Sequence, residues 1–156
     1  MWGNRDEWNS TTPTSSVFSV GNQADINAIG SLHIAYCFAD VAGYSKFSSY
    51  TGNGNANGTF EYLGFKPAYV MIKNNTVARN WGIWDNKRLG FNPSNSRLHS
   101  DTNGAEETNP NIDLMSNGFK LRDTDADTNT NAKKYVYMAF AEAPLVGSNN
   151  VPANAR

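Results

Sequence analysis

The chain has 156 residues, 13 basic and 14 acidic side chains and a formal charge of −1, with no Lys/Arg block, so a surface that tracks a phosphate backbone is not expected. Only 17% of residues are charged, yet mean hydropathy is −0.56; neutral amides and hydroxyls, including 22 asparagines, must keep the surface wet. The single cysteine, Cys37, excludes an internal disulfide, and no run reaches the roughly 18 apolar residues of a membrane-spanning helix.

In chain order, Met1-Trp2-Gly3-Asn4-Arg5-Asp6-Glu7 lacks the apolar core of a signal peptide. Beyond it the pattern has period two almost throughout, with frequent turn residues. This predicts strands over residues 17–20, 33–39, 44–50, 59–65, 68–73, 80–85, 88–91, 112–115, 119–122 and 134–142. Segments 52–58, 92–111 and 123–131 are rich in residues that form Asx-turns or tolerate positive φ, and read as loops. One helical turn is expected around residues 24–29. Many short strands at intervals of roughly 8–12 residues predict an all-β fold, an antiparallel sandwich of jelly-roll-like character.

Part of the chain reads as a repeat. Ile34-Ala35-Tyr36-Cys37-Phe38-Ala39-Asp40 matches Val136-Tyr137-Met138-Ala139-Phe140-Ala141-Glu142, 102 residues later. Upstream, Ser16-Val17-Phe18-Ser19-Val20 reads against Asn117-Gly118-Phe119-Lys120-Leu121, 101 residues later. The expected organisation is a half-repeat over 1–40, a complete module over 41–146 and a tail over 147–156. Both apolar runs should be central, buried strands, with Cys37 an inert buried thiol. The half-unit should pack on the module or on a neighbour, because an isolated hairpin is marginal.

Motifs for catalysis are missing. His33 and His99 belong to no metal-spaced cluster, and no nucleophile elbow, phosphate loop or zinc-protease helix occurs. Asp40 and Glu142 end equivalent strands and read as edge or turn positions; no acid pair is placed for glycoside hydrolysis. The expectation is a non-enzyme without a cofactor. Asp123, Asp125 and Asp127 alternate as in a calcium loop, but the EF-hand pattern fails: no glycine stands at its sixth position and Lys134 replaces the bidentate acid. A solvated loop is the plain alternative to this weak metal candidate. Trp81 and Trp84 stand three apart and so face opposite sides of one strand. Trp84, with Asp85 and Arg88, is the candidate ligand site: an exposed ring can stack on a pyranose while the charged pair binds hydroxyls. The alternative is that both rings pack internally.

Several runs together carry a family resemblance: His33-Ile34-Ala35-Tyr36-Cys37-Phe38-Ala39-Asp40-Val41-Ala42-Gly43-Tyr44, Gly64-Phe65-Lys66-Pro67-Ala68-Tyr69-Val70-Met71-Ile72-Lys73, Trp81-Gly82-Ile83-Trp84-Asp85-Asn86-Lys87-Arg88 and Tyr135-Val136-Tyr137-Met138-Ala139-Phe140-Ala141-Glu142. From Trp8 onward the chain resembles the repeated β-module of large structural proteins, many described as tail-fibre or virion proteins, of marine tailed bacteriophages. The resemblance implies a β-sandwich in a virion, made in the host cytoplasm and carried on the extracellular particle. Its partners would be other virion proteins, copies of itself in a homo-oligomer and, for a tail-fibre or host-attachment module, a host surface glycan. The alternatives are a capsid-decoration or tail-wall protein and, further off, a self-assembling extracellular β-protein. Neither nucleic acid nor membrane insertion is expected.

Overall fold

The computed structural model describes residues 7–88, 92 and 94–143. The chain divides after Phe38 into two compact units.

In the first unit the one regular element among the described residues is the helical turn α1 (Ala24–Asn27). Local contacts organise the rest. Trp8 and Phe18 meet edge-to-face at 6.3 Å, and Asn27 Nδ2 donates to the Gly21 carbonyl at 2.8 Å. The strands expected at 17–20 and 33–39 do not form. Ile34 and Tyr36 are 80% and 81% exposed, and Cys37 is exposed rather than buried. An apolar run supplies side chains for a central strand but not the two flanking ladders that make it central. The sequence likeness between 34–40 and 136–142 therefore has no counterpart in local structure.

The second unit is an antiparallel β-sandwich. Its strands are β1 (Ser45–Thr51), β2 (Phe60–Tyr62), β3 (Pro67–Asn74), β4 (Trp81–Asp85), β5 (Ser94–His99), β6 (Glu107–Met115), β7 (Gly118–Leu121) and β8 (Lys134–Ala141). They follow one hydrogen-bonded order, β1-β8-β3-β4-β5-β6-β7-β2. β5 changes sheets along its length: Leu98 and His99 pair with β4, whereas Ser94, Ser96 and Arg97 pair with β6. The ladder thus folds over at β5 into two facing layers, and β1 and β2 end up as its two edges.

Strand parity places the core. On β8, Tyr135, Tyr137, Ala139 and Ala141 point inward, and the alternate residues point outward. β8 is central, between β1 and β3, but only one of its faces is fully buried. Tyr50 stacks on Tyr135 at 5.1 Å, and Phe119 of the opposite layer meets Tyr137 edge-to-face at the same distance. Val70, Ile72, Trp84, Ile112 and Leu121 complete this interior at 0% exposure. Burying each such side chain contributes roughly 1.5–3 kcal/mol before conformational entropy is charged against it.

Segment 92–111, expected to be a loop, contains β5 and the first half of β6. Its polar composition hid the strands, because the buried members are Ser96, Arg97 and Asn111, of which Arg97 and Asn111 are held by partners described below. Of the strand expected over 88–91, Arg88 lies in a bend and residues 89–91 lie outside the described residues, as does the tail 147–156. Among the described residues no helix is long and apolar enough to cross a membrane.

Candidate functional site

Trp84 pairs with Val70 on the inner face of β4 and is completely buried. This corrects the expectation of an exposed platform at that ring. Parity sends one tryptophan inward, and Gly82, the inward residue two positions earlier, leaves the space the indole occupies: a Cβ on Gly82 would stand 2.3 Å from Trp84 Cη2.

Asp85 and Arg88 brace the following turn. Asp85 Oδ2 accepts from Arg88 Nε at 2.7 Å, and its Oδ1 accepts from the backbone N–H groups of Lys87 and Arg88. Arg88 also donates to the Ile83 carbonyl at 3.2 Å and to Glu106 at 3.0 Å. Burial pushes the Asp85 carboxyl up, but the backbone N–H of Lys87 and the Arg88 guanidinium together hold it below its ordinary value. Both side chains are thereby engaged within the turn.

The exposed tryptophan of this strand is Trp81, on its outer face and 37% exposed. It stands opposite Lys73 of β3, whose Nζ lies 5.7 Å from the ring centroid, within the range of a cation–π contact. Lys73 Nζ also donates to the Arg79 carbonyl. The Trp81 backbone N–H donates to Asp101 Oδ1 at 3.0 Å, which fixes the strand start on which the ring is mounted.

The three loop carboxylates do not converge on one point. Asp123 accepts from Asn111 Nδ2 and, at 2.9 Å, from Thr128 Oγ1. Asp125 Oδ1 and Asp127 Oδ2 lie 3.3 and 3.7 Å from Arg97 Nη1. Arg97, whose side chain is 5% exposed, is also paired with Glu107 at 2.5 Å, and Glu107 lies 3.4 Å from His99 Nε2. Burial raises the Asp123 and Asp127 carboxyls, and Asp125 adds to the rise at each. The hydrogen bond from Arg97 holds Glu107 down. The loop acids thus have a protein cation for a partner. Sequence reasoning missed this cluster; the available signal was an arginine and a histidine two apart inside a polar segment, which without its partners reads as a solvated loop.

Asparagine amides are likewise turned inward. Asn129 is 0% exposed, and its Nδ2 donates to Asn53 Oδ1, the Asn55 carbonyl and the Asp123 carbonyl at 2.7–3.1 Å. Its Oδ1 accepts from Asn53 N at 3.0 Å. Asn53 and Asn55 each close an Asx-turn onto the backbone two residues on. Loop 52–58 is therefore a preorganised shelf locked to loop 123–131.

Residues 2–144 match a family of domains described as Domain of unknown function (DUF7483). The chain belongs to that family. Comparison with curated proteins and with solved structures finds no match. Within this DUF7483 chain the arrangement best able to meet a ligand is the outer face of β3, β4 and β8 around Trp81. It offers a planar apolar ring beside an ammonium group, whereas the Arg97 guanidinium is turned inward onto Glu107 and the Asn129 amide onto its neighbouring loops.

Proposed function

We propose that this chain is a non-enzymatic structural protein of a bacteriophage virion, acting as a tail-fibre or host-attachment module that binds a cell-surface glycan. It would be made in the host cytoplasm, carried on the extracellular particle, and assembled with other virion proteins and copies of itself. The observation that carries the reading is Trp81: an indole 37% exposed on a rigid sheet face, beside Lys73. Such a ring stacks on the C–H face of a pyranose. Self-paired ionisable groups at Arg97 and Asp85 support a binding role over a catalytic one. Several copies on one particle would raise the avidity of a weak single site by roughly 10²–10⁴-fold.

A second reading, capsid decoration or tail wall, is favoured by one observation. Ile29, Leu32, Ile34 and Tyr36 are at least 80% exposed, an apolar series suited to cover by neighbouring subunits.

The test is a glycan array probed with the parent chain and with Trp81→Ala, each checked by thermal melting. Binding lost in the variant at an unchanged melting temperature is expected for the attachment module. A chain that binds no glycan, and that particle imaging finds at every capsid lattice position, belongs to the decoration reading.

A further inference from the structure

We infer that the saccharide taken at Trp81 is acidic, carrying a carboxylate or sulfate group that Lys73, Lys134 and Arg79 receive. This rests on the proposed glycan-binding reading and narrows it to a ligand class.

The register gathers these groups. Lys73 stands opposite Trp81 on β4 and opposite Val136 on β8. Lys134 lies two residues before Val136, so it shares that outer face, and it is exposed. The backbone binds this corner together, because the Asn75 N–H donates to the Lys134 carbonyl at 2.9 Å and the Lys134 N–H donates to Thr76 Oγ1 at 2.9 Å. Arg79 is exposed in the β3–β4 connection, two residues before Trp81, and its carbonyl holds Lys73 Nζ. Asp101 is at the same strand start, with one carboxylate oxygen on the Trp81 N–H, and Asp127 lies within electrostatic reach of Arg79.

Five cations of the unit are matched to acids: Lys46 to Asp40, Lys66 to Glu142, Arg88 to Asp85, Arg97 to Glu107 and Arg122 to Asp113. Lys73, Arg79 and Lys134, like Lys87, Lys120 and Lys133, form no ion pair with a carboxylate among the described residues, and of these six Lys73 is the one with its ammonium over an exposed tryptophan. A neutral sugar needs hydroxyl partners of both polarities; a ring with the unpaired Lys73 ammonium over it, and Lys134 further along the same sheet face, favours a ligand that brings its own negative charge. Its anionic group would take charge-assisted hydrogen bonds from the lysines while the sugar ring stacks on the indole. Because the face is open to solvent, the attraction must weaken with salt.

Calorimetric titration of the full chain with alginate (a polyuronate), dextran sulfate and unmodified dextran, at low and high ionic strength, tests the inference. The variants are Trp81→Ala, Lys73→Gln and Lys134→Gln, with melting curves as folding controls; Lys134→Gln serves alone if Lys73→Gln fails to fold. The expected result is binding to alginate or dextran sulfate but not dextran, with affinity falling on the order of tenfold in each variant, the loss of one good contact. Which polyanion binds separates carboxylate from sulfate. Dextran bound as well as the polyanions, with the lysine variants unaffected, overturns the acidic class and leaves the Trp81 platform standing. Polyanion binding that survives Trp81→Ala and disappears only with salt overturns the site in favour of diffuse charge attraction. If none of the three polymers binds, the inference fails, and the glycan array then decides separately whether Trp81 holds any sugar.

Discussion

A Cβ placed on Gly82 would overlap the indole of Trp84, at 2.3 Å from Cη2 and 2.7 Å from Cζ3. The two residues share the inner face of β4, and the absent side chain of one is the space filled by the ring of the other. Gly82→Ala should therefore lower stability by about 1–3 kcal/mol, the usual cost of overpacking. Trp84→Ala should cost about 3–5 kcal/mol through the cavity it leaves. Trp81→Ala, on the opposite face, should cost well under the Trp84 value. Chemical denaturation of the three variants checks the order; a Trp81 loss equal to that of Trp84 would contradict the assignment of faces.

Asn129 ties two loops together with one buried amide. Asn129→Ala removes the two amide N–H donors shared by three acceptors, and one acceptor, and leaves the Asn53 N–H without its acceptor, for an expected loss of about 3 kcal/mol. Asn129→Asp keeps the shape and an acceptor but replaces the donor with an oxygen facing the carbonyls of Asn55 and Asp123, so it should not rescue. Amide hydrogen exchange should speed up in both 52–58 and 123–131. Acceleration confined to one loop would show that the lock is not shared.

Arg97 is the cation that Glu107, Asp125 and Asp127 face. Arg97→Met should destabilise by about 3 kcal/mol, the lower end for breaking a buried pair, because Glu107 and Asp125 keep contact with water. The acids respond to pH in opposite senses. Glu107 is held below its ordinary value, so its stabilising contribution is present above the unfolded carboxylate range and is lost as pH falls through its folded value. Asp127 is raised by burial and by Asp125, so its contribution is present below the unfolded value, about 3.9, and is lost as pH rises through the folded one. Asp127→Asn should therefore be more stable than the parent at pH 7, with the gain shrinking toward acid pH. Urea denaturation across pH 3–7 measures this. A variant less stable than the parent at pH 7 would mean that attraction to Arg97 outweighs burial.

Much of the second unit was legible where parity and partners agree. The apolar run 136–141 predicted a central strand, and β8 is central, although only its Tyr135, Tyr137 and Ala139 face is fully buried; β3, β4, β7 and β8 lie within a few residues of their expected bounds. That Trp81 and Trp84 oppose each other followed from spacing. Which ring enters the core did not, because Val70 and Ile72 of the neighbouring strand make the inner face. The run Ile34-Ala35-Tyr36-Cys37-Phe38 misled for a related reason: apolarity does not create flanking strands. β5 stayed hidden because Ser96 and Arg97 are buried by virtue of partners on β6 and in the 123–131 loop, which composition cannot display.

The edge of β1 is covered by its own approach segment. Asp40 Oδ1 accepts from the Phe47 N–H at 2.7 Å, and its Oδ2 meets Lys46 Nζ at 2.6 Å. Ser45 exchanges backbone bonds with Val41, and Thr59 Oγ1 donates to the Thr51 carbonyl at 3.0 Å. Each contact takes up a group that an open edge would offer to another chain. Asp40→Ala frees the Phe47 N–H and removes the charge beside it, leaving backbone able to template a foreign strand. Its expected effect is concentration-dependent self-association above that of the parent. Asp40→Asn retains an oxygen acceptor for Phe47 and should associate as the parent does. Light scattering over a concentration series compares the three chains directly. If Asp40→Ala scatters no more than the parent, the carboxylate is a turn contact without a protective role, and the edge must be guarded by Val41 and Thr59 alone.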